Sequence, residues 1–235
     1  MVVVGGNVKI GVLGGIGPEA TGEFYNKLIH RLQSEGLINS NQDFPKIIIN
    51  SVPAPELVST NIKEDELKEY LVGLKELDYL NTDFIVMVCN TIHLFHEKLQ
   101  SEINTQILDL REEVKTFLID NNIGEVLIIG TPQTVKSGLY NFEEIKTITP
   151  NNFELKKLSH TIFNYNKGFE KEKQIAISKD VCQKYLDRGV KKIILGCTEF
   201  AVMLKNENIP TINTVDILVD ATIKRFILNK QKVIL

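Results

Sequence analysis

Short apolar runs alternate along this chain with longer stretches whose apolar residues recur every three or four positions, a strand-and-helix rhythm. Val8 to Leu13 reads as a strand. A helix is expected from about Pro18 to Leu32, with Pro18 at its first position and Glu19 in its first turn. Lys46 to Asn50 reads as a second strand, and a loop through Pro53 and Pro55 leads to a helix with Leu67, Leu71, Leu74 and Leu77 on one face. Asp83 to Cys89 is a continuous apolar run, the pattern of a strand buried on both faces. A helix carrying His93 and His96 should follow, then a short strand near Ile107 and a helix from Leu110 to Ile119. Asn121-Asn122-Ile123-Gly124 closes that helix as a cap or turn.

The pattern then restarts. Glu125 to Ile129 is a strand ending at Gly130-Thr131-Pro132, as the first strand ends at Gly14-Gly15. Helices are expected between Glu154 and Arg188, then a strand Lys192 to Gly196 ending at Cys197, a short strand at Pro210 to Ile212 and a helix from about Val215 to Leu228. The spacing from Cys89 to Cys197 nearly equals that from Gly14 to Gly130, which suggests an internal duplication, although parallel α/β sheets in general repeat on this scale. The expected fold class is α/β. The first half is drawn at residues 1–110 and the second at 111–212, with the C-terminal segment 213–235 packing back on the first.

Composition narrows the setting. With 43% apolar residues in 235, the chain can bury a real core, as one large domain or two of about 110 residues. A formal net charge of −3, without like-charge blocks, gives no footprint for nucleic acid or a membrane surface. Met1 to Gly6 lacks the basic and apolar regions of a signal peptide, and no apolar run approaches the roughly 20 residues that span a bilayer. Three cysteines without dense spacing point to a reducing cytoplasm. Cys182, in a helical stretch, reads as a small buried hydrophobe.

The chemistry should lie at the other two thiols. Cys89 and Cys197 each stand at the carboxyl end of a buried strand, the edge at which open α/β sheets bind ligands. Two equivalent thiols suit the removal of a proton from one face of a carbon and its return to the other. Gly15-x-Gly17-x-x-Ala20 imitates a dinucleotide fingerprint. The second strand, however, ends at Asn50-Ser51 without the carboxylate a ribose needs, and Pro18 removes an amide from the helix start. His93 and His96 lack any metal-ligand spacing, so a structural or hydrogen-bonding role is expected for both and no metal.

Four motifs together resemble the aspartate/glutamate racemase family, most closely its cofactor-independent aspartate racemases. They are Gly14-Gly15-Ile16-Gly17-Pro18-Glu19-Ala20-Thr21, Cys89-Asn90-Thr91-Ile92-His93, Gly130-Thr131-Pro132-Gln133-Thr134 and Gly196-Cys197-Thr198-Glu199. The resemblance implies two similar α/β halves, each a mostly parallel sheet flanked by helices, with an amino acid bound in the cleft between them. It also implies no pyridoxal phosphate or other cofactor, and a homodimer. Cys89 and Cys197 are then the two proton-transfer groups, and the active thiolate should have a lowered pKa. Substrate contacts are expected from Gly15, Asn90, Thr91, Thr131, Thr134 and Thr198, of which Asn90, Thr91, Thr131 and Thr198 would serve equally well as helix caps. Glu199 either orients groups near Cys197 or is a first-turn carboxylate favoured by the helix dipole. The family's Arg in the loop after the second strand is replaced near Leu57, while its Lys matches Lys167, which should hold the distal carboxylate. Aspartate is the expected substrate. Glutamate, a broader set of amino acids, a related decarboxylase or isomerase, and a non-catalytic redox-sensing protein are the alternatives.

Overall fold

The computed structural model describes residues 7–55, 57 and 62–234. As far as residue 120 the chain runs β1 (Lys9–Gly14), α1 (Pro18–Ser34), β2 (Lys46–Ser51), α2 (Glu64–Tyr79), β3 (Phe84–Met87), α3 (His96–Gln100) and α4 (Leu110–Asp120). From Glu125 it runs β4 (Glu125–Gly130), α5 (Pro132–Lys136), β5 (Lys146–Ile148), α6 (Asn152–Asn166), α7 (Lys171–Leu186), β6 (Ile193–Gly196), α8 (Thr198–Met203), β7 (Thr211–Asn213) and α9 (Thr214–Ile234). Two parallel sheets result, a three-stranded one ordered β2-β1-β3 and a four-stranded one ordered β5-β4-β6-β7. A parallel bridge from Ile85 to Ile107 extends the first sheet beside β3, where β7 lies beside β6 in the second. Both sheets therefore place their strands in one order, as an internal duplication requires.

Strand burial follows the pleat. In β3 and its continuation, Phe84, Val86 and Val88 enter the core that also holds Phe24, Leu28 and the strands of the second half. Ile85, Met87 and Cys89 point to the opposite side, against Leu67, Tyr70 and Leu74 of α2. Alternation thus sends Cys89 to the α2 side because it shares the parity of Ile85 and Met87. The continuous apolar run is the consequence of a parallel strand covered on both faces.

Three local features differ from the sequence-based expectation. The residues after Cys89 form a 3-10 turn, Thr91–Phe95, before the five-residue α3. Strand β5 and helix α5 were not expected, being three and five residues long, too short for either periodicity to register. Helix α6 begins at Asn152 under a reciprocal cap in which the Glu154 amide donates to Asn151 Oδ1 at 2.9 Å and the Asn151 amide donates to Glu154 Oε2 at 3.0 Å. That cap fixes the start of the helix that later reaches the cleft.

Helix α9 returns to pack on α1, α4 and α8, burying Val215, Leu218, Val219 and Phe226 at roughly 1.5–3 kcal/mol for each fully buried large side chain. Lys27 bonds Asp216 at 2.6 Å and Arg31 pairs with Asp220, but such exposed pairs add little beside the apolar seam. Among the described residues, no helix is long and apolar enough to cross a membrane.

Cys182 lies on the inner face of α7 and is fully buried, as its helical position suggested. Burial pushes its thiol from 9.0 up to about 12. The native state therefore holds this proton through a range in which the unfolded chain has lost it, so stability is complete below about pH 9 and falls as pH rises toward 12. The destabilisation caused by Cys182→Ala should accordingly shrink by about 2 kcal/mol between about pH 8 and about pH 10.5, measured by urea unfolding. A difference independent of pH would show that this thiol titrates normally.

Candidate active site

The carboxyl ends of β1, β3, β4 and β6 converge on one cleft. It is lined by Cys89, Thr91, Thr131, Cys197 and Glu199 together with Gly15 and Gly17, and walled by Ile16, Ala54, Leu57, Tyr70, Ile162 and Asn166. The space is about 380 Å³ including its open side. Both thiols are free and buried, one supplied by each sheet.

The glycine turn allows this approach. Gly15 holds φ 87°, and a Cβ there would meet the Val52 carbonyl oxygen at 2.4 Å. Its amide donates to Thr21 Oγ1 at 3.1 Å. Gly17 holds φ 85°, and a Cβ would lie 2.5 Å from Glu199 Oε1. Only a residue without a side chain lets the first half's turn rest against a carboxylate of the second. This packing accounts for the glycines without any dinucleotide.

Glu199 is gripped from several sides. Cys197 Sγ–H donates to its Oε2 at 2.7 Å, Asn166 Nδ2 donates to Oε1 at 3.0 Å, and Thr198 Oγ1 donates to Oε2 at 3.3 Å. Thr198 thus meets Glu199 and does not line the cleft. Thr91, Thr131 and Thr134 form a hydroxyl triangle across the two halves, with Oγ1 separations of 2.8 Å for Thr91–Thr134 and 3.1 Å for the other two. Thr131 also caps α5 by accepting the Thr134 amide at 3.1 Å, so its capping and cleft positions coexist. Thr134 stands behind the lining, supporting the other two.

Asn90 is buried beside Cys89, and the Tyr140 hydroxyl donates to its Oδ1. Its Nδ2 has no acceptor among the described residues, an orphaned donor next to the thiol. His93 is held by Met87 O at 3.3 Å and His96 by Ile107 O at 3.2 Å. Their rings stack with centroids 6.1 Å apart. Burial drives His93 down to about 4, so it stays neutral and ties the turn after Cys89 to β3. Atoms of His96, Glu97 and Asp109 come within 4.8 Å of one another, but Arg111 bonds Glu97 at 2.6 Å and Asp109 at 2.7 Å. A single guanidinium already pairs with both carboxylates there.

Electrostatics differ from the expected lowered thiol pKa. Burial, reinforced by the negative charge of Glu199, pushes Cys89 up to about 12 against the opposing amides of Ile92 and Thr91. Cys197 is held well above its ordinary value, chiefly by burial, then by Glu199 and its hydrogen bond. Both are thiols at neutral pH.

Lys167 is not part of the lining. It caps the end of α6, is exposed, and holds Nζ 4.0 Å above the Phe163 ring. Ile162 and Asn166 share the face turned to the cleft, being four residues apart, and Phe163 and Lys167 form the next stripe round the helix. One residue of offset moves the cation out and brings Asn166 in. The sequence reading missed Asn166 and Tyr140. Asn166 adjoins the noted Lys, and Tyr140 lies six residues beyond Thr134, with nothing in its own surroundings to mark it.

Known proteins agree with this arrangement. Residues 13–222 match the model of the Asp/Glu/hydantoin racemase family. The broad-specificity amino-acid racemase RacX of Bacillus subtilis is 31% identical over 132 residues, 56% of this chain and 58% of the relative. The match thus spans less than two thirds of that protein. The aspartate racemase of Picrophilus torridus superposes with a TM-score of 0.74 at 25% identity, covering 94% of each chain. An aspartate racemase homologue from Pyrococcus horikoshii gives 0.69 at 22% identity, covering 93% of this chain and 98% of that one, and shares the fold. With motifs, strand order and cleft in accord with a match over most of its length, the chain belongs to the Asp/Glu/hydantoin racemase family.

Proposed function

We propose that this protein is a cofactor-independent amino-acid racemase in which Cys89 and Cys197 exchange the α-proton across the two faces of Cα. The observation that carries this reading is the pair of free thiols, one from each sheet, lining a single cleft. A homodimer belongs to the reading through the resemblance.

The chemistry can be followed by proton. Cys197 gives its proton to Glu199 Oε2, to which it is already hydrogen-bonded, and becomes a thiolate. The thiolate removes Cα–H from one face of the substrate, and Cys89 delivers its S–H proton to the other. The thiolate then rests on Cys89, which serves the opposite enantiomer. A thiolate whose conjugate acid is held well above its ordinary value by burial is a stronger base toward Cα–H than an ordinary one. The incoming α-ammonium, set near Glu199, offsets the negative charge that keeps the thiols protonated. As the proton leaves, charge grows on the substrate carboxylate, and in this reading the lining hydroxyls of Thr91 and Thr131 donate to it, with Asn90 buried behind the lining rather than in it. Aspartate, the expected substrate, would require a partner for a second carboxylate, and Lys167 stands outside the lining.

Cys89→Ala and Cys197→Ala should each lower racemisation by roughly 10²–10⁴-fold, the span of a lost general acid or base. Each variant should still exchange deuterium into the enantiomer whose Cα–H faces the remaining thiol, followed by NMR in heavy water. Full racemisation by either variant would end the two-base reading.

Glu199→Gln separates charge from structure. Removing the negative charge should lower the pKa of both thiols and quicken their alkylation by iodoacetamide at pH 8, read by mass spectrometry. Racemisation should fall at least about tenfold, because the acceptor for the Cys197 proton is gone. Parallel loss of both reactivities would instead indicate a collapsed site.

A further inference from the structure

We infer that the side chain this cleft accepts is uncharged and aliphatic, and that aspartate and glutamate are its poor substrates. The inference rests on the two-thiol racemase reading and names the substrate class within it.

The distal wall is hydrocarbon. Ile16, Leu57, Tyr70 and Ile162 are all buried, and Ala54 completes the surface. Ile16, Leu57 and Tyr70 belong to the same apolar cluster as Cys89, so a side chain projecting from a Cα beside that thiol meets them. The Tyr70 hydroxyl donates to the Pro55 carbonyl, which ties α2 to the loop bearing Ala54 and Leu57. An aliphatic group entering this space leaves water for matched apolar contact.

Among the described residues, a carboxylate entering it finds no counter-charge. Glu199 is the charged residue of the described lining, and it bears the same sign as an acidic substrate. Lys167 and Lys171 are outside the lining, Lys167 on Phe163 and Lys171 paired with Glu19. The chain from Val52 to Ile62 contains no Lys or Arg at all, so no residue of that loop can supply the missing charge. Nor do the walls offer polar groups to hold water around it, since Ile16, Ala54, Leu57 and Ile162 present hydrocarbon alone. A carboxylate buried without a partner or a hydration shell is strongly disfavoured.

The decisive measurement is a ranking. Wild-type protein is incubated in heavy water with L-alanine, L-leucine, L-methionine, L-aspartate, L-glutamate or L-lysine, and α-proton exchange is followed by NMR. The best aliphatic substrate should exceed both acids in kcat/KM by at least about tenfold, a gap in keeping with an unpaired buried carboxylate. Leu57→Arg places a guanidinium in the wall and should raise aspartate or glutamate exchange at least about tenfold relative to leucine. Retained thermal unfolding checks that this variant is folded. If the acids or lysine lead in the wild type, and Cys89→Ala stops their conversion to the D enantiomer, the side-chain inference falls while the racemase reading stands. If no amino acid exchanges, both fall. A folded Leu57→Arg with an unchanged ranking would overturn the assignment of the wall as the side-chain site.

Discussion

The site depends on where the carboxylate of Glu199 sits. It belongs to the second half, two residues beyond Cys197, yet it rests against Gly17 of the first half and takes hydrogen bonds from Cys197 and Asn166. One side chain thereby joins the glycine turn after β1, the thiol after β6 and the last turn of α6. Its charge also reaches both sulfurs, helping to hold each as a thiol. Packing of the two halves and protonation of the site are consequently a single problem. A side chain at Gly17 would displace the carboxylate, and a displaced carboxylate would leave Cys197 without its acceptor.

The parts of this arrangement legible in the sequence were those written in periodicity or in turn chemistry. The apolar runs ending at Gly14, Cys89, Gly130 and Cys197 marked four strands, because parallel strands buried on both faces carry little else. Their pairing as two sheets followed from the repeated order of motifs. The extra strand β5 was hidden because Lys146–Ile148 has too few residues to show alternation. The stretch after Cys89 reads as a helix because a buried strand in an α/β chain is ordinarily followed by one and His93 and His96 stand three residues apart. The chain instead makes a 3-10 turn before α3, and His93 anchors it to Met87.

Side-chain roles were harder to read because they depend on one helical step. Lys167 and Asn166 are adjacent, but about 100° separates their directions round α6, enough to put one over Phe163 and the other on Glu199. Tyr140 was invisible for a related reason. It acts through Asn90, some fifty positions earlier, and a hydrogen bond between distant residues leaves no local pattern. The thiol pKa values depend on burial and on Glu199 together, so the expectation of a lowered value, drawn from strand ends and helix starts, weighed just one of the opposing contributions.

The two sheets of matching strand order supply two thiols but not two equal ones. The residue two positions beyond Cys197 is Glu199, whereas the residue two beyond Cys89 is Thr91, which joins the hydroxyl triangle with Thr131 and Thr134. One thiol therefore hydrogen-bonds a carboxylate, and the other faces hydroxyls and the amides of its own turn. For a racemase this asymmetry cannot favour either enantiomer at equilibrium, because mirror-image substrates have equal free energy in water. The ratio kcat/KM must then be the same in both directions, while kcat and KM need not be. The unequal thiols can only shift which protonation state the enzyme rests in, and hence which enantiomer binds the resting form more readily. Divergence between the two halves is free to tune that balance at Glu199 without disturbing the shared geometry of the strand ends.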